Sequence, residues 1–228
     1  MNSKKDYRYE RKFIIPNLDL KEIHHLIKHH SAVFSEIFLG RQVNNIYFDS
    51  MDTKHYHDNV AGHAQRIKVR IRWYGNTFGL IENPILEFKI KDGFLGKKKS
   101  FKLKSFNFNK NFCFDALKKE IIGKSKLPKN IIEIFKVSKP TLLNSYWREY
   151  FLSKNKKIRI TVDKNLSFFK IKHKNNNFIQ KISNKNLKII ELKYDEIEDE
   201  KIHHITQEFP FRLEAISKYI HGIDLLHL

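Results

Sequence analysis

A segment of ten residues in the first half of the chain carries the strongest chemical pattern in the sequence. Residues 65–74 read Q-R-I-K-V-R-I-R-W-Y, in which basic and apolar side chains alternate. Successive side chains of a β-strand point to opposite faces, so Arg66, Lys68, Arg70 and Arg72 are predicted to share one face. Four like charges in a row repel one another unless an anion neutralises them. The pattern therefore predicts a strand that binds a polyanion.

The other face of this strand is apolar and is expected to be buried against a core. An alternative interpretation places the basic face in solvent, as on the outer side of many antiparallel sheets. Similar basic positions recur in other strand-like segments, which favours a phosphate-binding interior, and arginine suits bidentate phosphate binding. The recurring positions are Lys89 and Lys91; Lys98, Lys102 and Lys104; Arg148; and Arg159.

A Glu-x-Lys pattern occurs three times in strand-like segments, at residues 10–12, 87–89 and 191–193. One interpretation is a ladder of cross-strand ion pairs, each contributing about 0.2–1 kcal/mol. The other is a carboxylate that binds Mg²⁺ or Mn²⁺ together with phosphate oxygens, since such ions typically use one or two protein carboxylates. A carboxylate opposes phosphate binding in a nucleic-acid groove, so the second interpretation argues against nucleic acid as the partner.

The composition indicates a folded protein with an anionic partner or substrate. Lys and Arg number 44 against 25 Asp and Glu, giving a net charge of +19, and 41% of residues are hydrophobic. Cys113 is the single cysteine, which excludes a disulfide framework and suits a reducing compartment. With no signal-peptide pattern and no apolar run near the roughly 20 residues that span a bilayer, we expect a cytoplasmic protein. Docking at the inner face of a membrane through a membrane-protein partner is compatible with this expectation.

The elements that must position these residues are mostly short strands. Alternation predicts strands at 7–15, 43–49, 65–74, 84–91, 97–104, 140–152, 157–163 and 187–195. Helices are predicted near 19–30, 52–60, 112–122, 129–136, 198–206 and 212–222, with Asp19 and Asp52 as N-caps. Asp92-Gly93 predicts a hairpin turn. Residues 170–186, which are rich in Asn and Lys, predict a mobile hairpin or loop.

These elements predict a single domain over residues 1–228, because no linker rich in Gly, Pro or Ser interrupts the chain. The expected fold is α+β. About eight antiparallel strands close into a barrel, with short helices packed outside and a helix at the C-terminus.

Eight segments, taken in order, resemble a known family. They are Y-E-R-K-F at 9–13, I-Y-F-D-S at 46–50, R-I-K-V-R-I-R-W-Y-G at 66–75, L-E-F-K-I-K at 86–91, Y-W-R-E-Y-F at 146–151, R-I-T-V-D at 159–163, I-E-L-K-Y-D at 190–195 and S-K-Y at 217–219. Together they resemble the triphosphate tunnel metalloenzyme (CYTH-like) superfamily. Within it they are most similar to the vacuolar transporter chaperone (VTC) domain, a polyphosphate polymerase domain.

The resemblance implies a tunnel of antiparallel strands that threads a phosphate chain and moves the γ-phosphoryl group of ATP to inorganic polyphosphate or pyrophosphate. It implies Mn²⁺ or Mg²⁺ as cofactor, held by Glu191 with Glu10 and Glu87 as further acidic groups. The implied catalytic residues are Lys218, Arg70, Arg72 and Glu191. The implied phosphate-binding residues are Lys12, Arg70, Arg72, Lys89, Lys98, Arg148, Arg159 and Lys193.

Two other functions stay open at this point. A hydrolase on the same scaffold would cleave tripolyphosphate or nucleoside triphosphates, and a non-catalytic module would bind polyphosphate or RNA. Lys218 also has a simpler interpretation, namely an ion pair with Glu214 one turn earlier on the last helix.

Overall fold

The computed structural model describes residues 8–92, 95–109, 112–172, 176–195 and 198–228. The strands in these ranges are β1 (Arg8–Ile15), β2 (Ser35–Asp49), β3 (Gln65–Tyr74), β4 (Gly79–Ile81), β5 (Ile85–Asp92), β6 (Leu95–Lys102), β7 (Phe106–Phe108), β8 (Lys139–Leu152), β9 (Ile158–Lys170), β10 (Lys181–Asn184) and β11 (Lys188–Asp195). The helices are α1 (Leu20–Lys28), α2 (Lys54–Val60), α3 (Phe114–Lys124), α4 (Lys129–Val137), α5 (Asp199–Gln207) and α6 (Lys218–Leu226).

Nine of these strands form one large sheet. Its order is β1-β11-β9-β8-β2-β3-β5-β6, with β10 paired to β9, while β4 and β7 form a separate two-stranded sheet. The strand pairs whose register is described are antiparallel. The predicted α+β class with a large antiparallel sheet and few helices is therefore confirmed, and closure of that sheet into a barrel stays a prediction.

The chain divides into two compact units. The first unit comprises Met1–Arg41, Tyr146–Leu166 and Asn184–Ile216, and the second comprises Gln42–Ser145, Ser167–Ser183 and Ser217–Leu228. Each unit has its own hydrophobic core, so the sequence supplies enough apolar side chains for both. The single domain expected from the sequence stays a prediction.

The core of the first unit lies between strands β1, β9 and β11 and helices α1 and α5, and it includes Phe13, Ile23, Ile160, Leu192 and Ile202. The core of the second unit is rich in phenylalanine and includes Phe48, Phe88, Phe108, Phe114 and Phe135. Burying a side chain of this size contributes about 1.5–3 kcal/mol. The apolar faces of the strands are thereby fixed, and their polar faces take the opposite side.

The alternation predicted for β3 is confirmed. Val69 and Ile71 are fully buried and Trp73 is 1% exposed. The basic side chains on the other face are half-buried; the side chain of Arg72, for example, is only 11% exposed. This degree of burial does not fit a basic face lying openly in solvent.

Helix α1 begins where the sequence predicts. Asp19 is its N-cap, and Glu22 completes a capping box because its carboxylate accepts a hydrogen bond from the backbone N–H of Asp19. Within the described residues, no helix is both long and apolar enough to cross a membrane.

The predicted N-cap of the second helix is wrong. Helix α2 begins at Lys54 with Thr53 at the N-cap position, and neither Thr53 nor Asp52 caps it in the expected way. The buried carboxylate of Asp49 does so instead, because it accepts hydrogen bonds from the backbone N–H groups of His55 and Tyr56 at 2.8 and 2.9 Å.

The predicted start of the last helix is also wrong. Helix α6 begins at Lys218, and Ser217 is its N-cap. The residues before it are not helical, and Leu213 among them forms an isolated β-bridge with Phe13. Glu214 therefore precedes the helix, so it does not share with Lys218 the helical turn on which the predicted ion pair was based.

Two predicted connections have a partial outcome. Asp92 pairs with Leu95 across β5 and β6, while Gly93 of the predicted turn lies outside the described residues. The predicted hairpin or loop at 170–186 contains β10, which pairs with β9, so the hairpin alternative is confirmed for the described part. Residues 173–175 of that loop also lie outside the described ranges.

Candidate functional site

In the second unit, the basic faces of β3, β5 and β6 align row by row. Lys68 lies directly opposite Lys89, which lies directly opposite Lys98. In the neighbouring row, Arg66 lies opposite Lys91. Like charges that face each other across a sheet are destabilising. An anion bound over this face would relieve the repulsion, so the three-lysine row is a candidate anion site.

Glu87 occupies the next position on this face, directly opposite Arg70. Its Oε2 atom accepts a hydrogen bond from Nε of Arg70 at 2.7 Å. The same oxygen forms ion pairs with Nη2 of Arg70 at 2.6 Å and with Nη1 of Arg72 at 3.9 Å. Its Oε1 atom forms an ion pair with Nζ of Lys98. Burial alone would raise the pKa of Glu87, but Arg70, Arg72 and Lys98 outweigh it and lower the pKa to about 2. Glu87 is therefore ionised at neutral pH.

Arg72 is oriented by two buried asparagines. Its Nε donates to Oδ1 of Asn45 at 2.8 Å, and Nδ2 of Asn45 donates to Oδ1 of Asn144 at 2.8 Å. Because a guanidinium only donates hydrogen bonds, Arg72 fixes which way both amides face. The contact orients Arg72 through a neutral acceptor, whereas Arg70 is held by a carboxylate.

The start of helix α6 belongs to the same unit. Lys218 is 8% exposed, and the preceding Ser217 accepts a hydrogen bond on Oγ from Nζ of Lys68 at 2.9 Å. Tyr219 donates its hydroxyl hydrogen to Oδ2 of Asp49 at 2.5 Å. Burial, followed by the Asp49 charge, raises the pKa of Tyr219, so the phenol keeps its proton. These contacts fix the first turn of α6 beside a lysine of the three-lysine row.

In the first unit, two of the three Glu-x-Lys segments are paired strands. Glu10 of β1 lies opposite Lys193 of β11, and Lys12 lies opposite Glu191. Residues opposite each other share a face, so the two acids and two lysines alternate on one side of the sheet. This register matches the ion-pair ladder and also brings two carboxylates to one face. On the next strand, β9, Thr161 lies opposite Glu191.

Glu191 is held by a buried ion-pair network. Its Oε2 accepts a hydrogen bond from Nη2 of Arg148 at 3.0 Å and lies 3.3 Å from Nζ of Lys193. Arg148 also donates from Nε and Nη2 to the two carboxylate oxygens of Asp163 at 2.5 and 2.6 Å. Burial alone would lower the pKa of Arg148, but Asp163, Tyr146 and Glu191 raise it well above its ordinary value. Arg148 therefore stays charged and orients Glu191.

The remaining cations of this face differ in exposure. Nζ of Lys12 lies 2.9 Å from Oε1 of Glu10 and donates to the backbone oxygen of Ile216 at 3.0 Å. Arg159 lies opposite Lys193 and is exposed. Lys12 is thus held by protein contacts, whereas the side chain of Arg159 is accessible to a ligand in solution.

Oxygen donors on this face suit a divalent metal bound to phosphate. Glu191 is 5% exposed, and the buried hydroxyl of Thr161 opposite it has no hydrogen-bond partner among the residues that the structure describes. Mg²⁺ and Mn²⁺ prefer oxygen ligands and typically keep water and phosphate in most positions. In the part of the chain that the structure describes, no group of three or more His, Cys, Asp or Glu side chains is placed to hold a metal ion.

The predicted site residues thus fall into two clusters, one in each unit. The second unit holds Arg70, Arg72, Glu87, Lys89, Lys98 and Lys218, and the first unit holds Glu10, Lys12, Arg148, Arg159, Glu191 and Lys193. Sequence reasoning did not assign roles to several residues that orient these groups. They are Asn45, Asp49, Asn144, Asp163 and Tyr219.

Solved structures of low sequence identity share this fold. A candidate adenylate cyclase from Bacillus halodurans aligns with a TM-score of 0.54 at 11% identity, over 96% of this chain and 98% of that chain. A protein from Pyrococcus horikoshii OT3 aligns with a TM-score of 0.52 at 13% identity, over 95% and 99%. A candidate adenylyl cyclase from Hippeastrum with a dominant triphosphatase activity aligns with a TM-score of 0.50 at 12% identity, over 95% and 96%.

No curated protein sequence matches the chain at a significant level. The family model for the VTC domain, in contrast, matches residues 7–227, which is nearly the full length. The match includes both clusters and confirms the resemblance found in the sequence segments. The chain belongs to the VTC domain family.

Proposed function

We propose that this protein is a polyphosphate polymerase that transfers the γ-phosphoryl group of ATP to the end of an inorganic polyphosphate chain and releases ADP. The observation that carries the proposal is the row of Lys68, Lys89 and Lys98, which continues along β3 into Arg70 and Arg72. A face of this kind, in a member of the VTC domain family, is suited to a chain of linked phosphates.

The width of the three-lysine row favours a polyanion over a single anion. Neighbouring strands lie about 4.8 Å apart, so three lysines on three strands span about 10 Å. That span exceeds one phosphate group. Arg70 and Arg72 add planar guanidinium groups, which bind phosphate oxygens in pairs. Lys12, Arg159 and Lys193 are proposed as phosphate-binding residues of the first unit.

For the metal, we assign Glu191 as the protein ligand, with Glu10 as the second carboxylate on that face. The oxygen donors fit Mn²⁺ or Mg²⁺, which when bound would neutralise charge on the phosphate oxygens. Asp163 holds Arg148, and Arg148 in turn orients Glu191. Arg148 is therefore a positioning residue in this proposal as well as a contributor of positive charge.

Phosphoryl transfer requires little covalent chemistry from the protein, since positioning and charge stabilisation provide most of the rate acceleration. Lys218 is buried, and a buried ammonium group stabilises developing charge more strongly than one in water. We assign it to the oxygens of the transferred phosphoryl group. The nucleophile is an oxygen at the end of the phosphate chain, so a protein nucleophile is not required.

A second candidate is a triphosphatase, in which water accepts the phosphoryl group. The observation that favours it is the fold likeness to the Hippeastrum protein, which has a dominant triphosphatase activity. The two functions use the same cationic face and the same metal. They differ only in whether water or a phosphate end is held at the point of attack.

Incubation of the purified protein with ATP and Mn²⁺ separates the candidates, with the products resolved by gel electrophoresis and anion exchange. A polymerase yields long phosphate chains together with ADP. Orthophosphate without chains would overturn the proposal in favour of the triphosphatase, and tight tripolyphosphate binding without turnover would leave a binding module. Glu191→Gln is the matched control, because it removes the metal-binding charge while leaving the second unit unchanged.

A further inference from the structure

Glu87 is a carboxylate surrounded by cations, and its contacts differ from those of Glu191. Both oxygens of Glu87 are engaged, Oε2 by Arg70 and Arg72 and Oε1 by Lys98. The side chain is 5% exposed. The contact with Arg70 uses two guanidinium nitrogens, which is also how arginine binds a phosphate. Glu87 therefore competes with phosphate for the same donors.

A metal ion is a poor occupant of this position. Three positive side chains within ion-pair distance of one carboxylate repel a divalent cation. The amide oxygens of the two asparagines that orient Arg72 already accept hydrogen bonds, Asn45 Oδ1 from Arg72 and Asn144 Oδ1 from Asn45. The cations around Glu87 instead indicate an internal counter-ion.

We propose that Glu87 is a resident counter-ion that makes this face selective for phosphate chains over single phosphates. It holds Arg70, Arg72 and Lys98 in place before substrate binds, and it must be displaced before phosphate oxygens reach them. One orthophosphate gains little from that exchange. A chain that also covers Lys68 and Lys89 gains the rest of the row and so outcompetes the carboxylate. This inference rests on the proposed binding of phosphate chains.

The test is Glu87→Gln, with tripolyphosphate and orthophosphate binding measured by isothermal titration calorimetry at several salt concentrations. Removing the competing charge is expected to raise orthophosphate affinity by at least about tenfold and tripolyphosphate affinity by less. The preference for the longer anion therefore falls. Glu87→Asp keeps the charge but shortens its reach, and it is expected to shift the preference in the same direction by a smaller amount.

Glu82→Gln is the matched control, because it removes one negative charge from an exposed position five residues earlier in the same unit. An equal change of this preference in Glu82→Gln would show that the effect comes from the net charge of the protein, and it would overturn the inference. An unchanged preference in Glu87→Gln would overturn it too. Loss of Mn²⁺ binding in Glu87→Gln, measured by calorimetry without nucleotide, would make Glu87 a metal ligand instead.

The wild-type titration separates this inference from the proposed function. If the unmodified protein does not bind tripolyphosphate, the proposed function fails and the inference fails with it. If the unmodified protein binds tripolyphosphate, and Glu87→Gln prefers tripolyphosphate over orthophosphate by the same factor as the unmodified protein, the inference alone fails.

Discussion

Replacing Glu87 by Gln is expected to lower the free energy of unfolding at neutral pH by about 3 kcal/mol. The magnitude follows from the pKa of Glu87, which falls from an ordinary value of 4.5 to about 2 in the folded protein. One pKa unit corresponds to about 1.4 kcal/mol, and the carboxylate is almost fully buried, so solvent screening reduces the figure little. Glutamine has a similar shape and an amide oxygen, so the difference reports the charge.

The pH dependence of this loss has a definite sign. The folded-state pKa is lowered, so the charge contributes its full stabilisation above the unfolded-state pKa of 4.5. That contribution disappears as the pH falls from about 4.5 to about 2, where the folded state also takes up the proton. Wild type and Glu87→Gln are therefore expected to differ most above pH 5 and to converge near pH 2.

Urea unfolding monitored by tryptophan fluorescence measures this difference. The chain has two tryptophans, and Trp147→Phe leaves Trp73, which is buried in the same unit as Glu87, as the single reporter. Glu82→Gln in the same background is the control for loss of an exposed charge. Equal stability of wild type and Glu87→Gln at pH 7, or a difference that persists unchanged at pH 2, would refute the assignment of Glu87 as a buried counter-ion.

Three further predictions concern the two clusters and the residues that orient them. Glu191→Gln is expected to abolish Mn²⁺-dependent turnover while tripolyphosphate affinity changes by less than about threefold, and persistent turnover would remove Glu191 from the metal site. Arg70→Ala combined with Arg72→Ala is expected to weaken tripolyphosphate binding by at least about 100-fold in calorimetry, since charge-assisted hydrogen bonds contribute about 1.5–3 kcal/mol each. Undiminished binding would show that this basic face does not bind the phosphate chain. Tyr219→Phe is expected to lower the free energy of unfolding by about 1–3 kcal/mol, because the buried Asp49 loses a donor, and kcat is expected to fall more than KM rises; unchanged kcat would separate that contact from catalysis.

The strand faces could be predicted from the sequence because their signal is local. Alternation along β3 assigns Arg70 and Arg72 to one side and Val69 and Ile71 to the other, whatever the strand pairs with. The same reasoning found all three acidic positions. The alternation could not predict which residues lie opposite these acids, since Glu191 lies opposite Lys12 only because of the register of β1 and β11.

Most of what the sequence did not predict depends on contacts between residues that are far apart in the chain. Helix α6 has a local start signal that the prediction overlooked, because Ser217 is its N-cap and accepts a hydrogen bond from the backbone N–H of Ile220. The sequence does not show the bridge between Leu213 and Phe13, because these residues are far apart in the chain. Asp163 was visible only as the end of a strand-like segment. Its role appears when β9 places it against Arg148. Asn45 and Asn144 are neutral residues whose importance comes entirely from their contact with each other and with Arg72.

The most direct test of the central proposal is the identity of the group that accepts the phosphoryl group. ATP and Mn²⁺ are incubated with the protein in ¹⁸O-labelled water, and the products are followed by ³¹P NMR and mass spectrometry. Transfer to a phosphate end predicts a growing signal from internal phosphates, one ADP for each phosphate added, and no ¹⁸O in the chain. Release of ADP and ¹⁸O-labelled orthophosphate without any phosphate chain would show that water is the acceptor and would contradict the proposed polymerase.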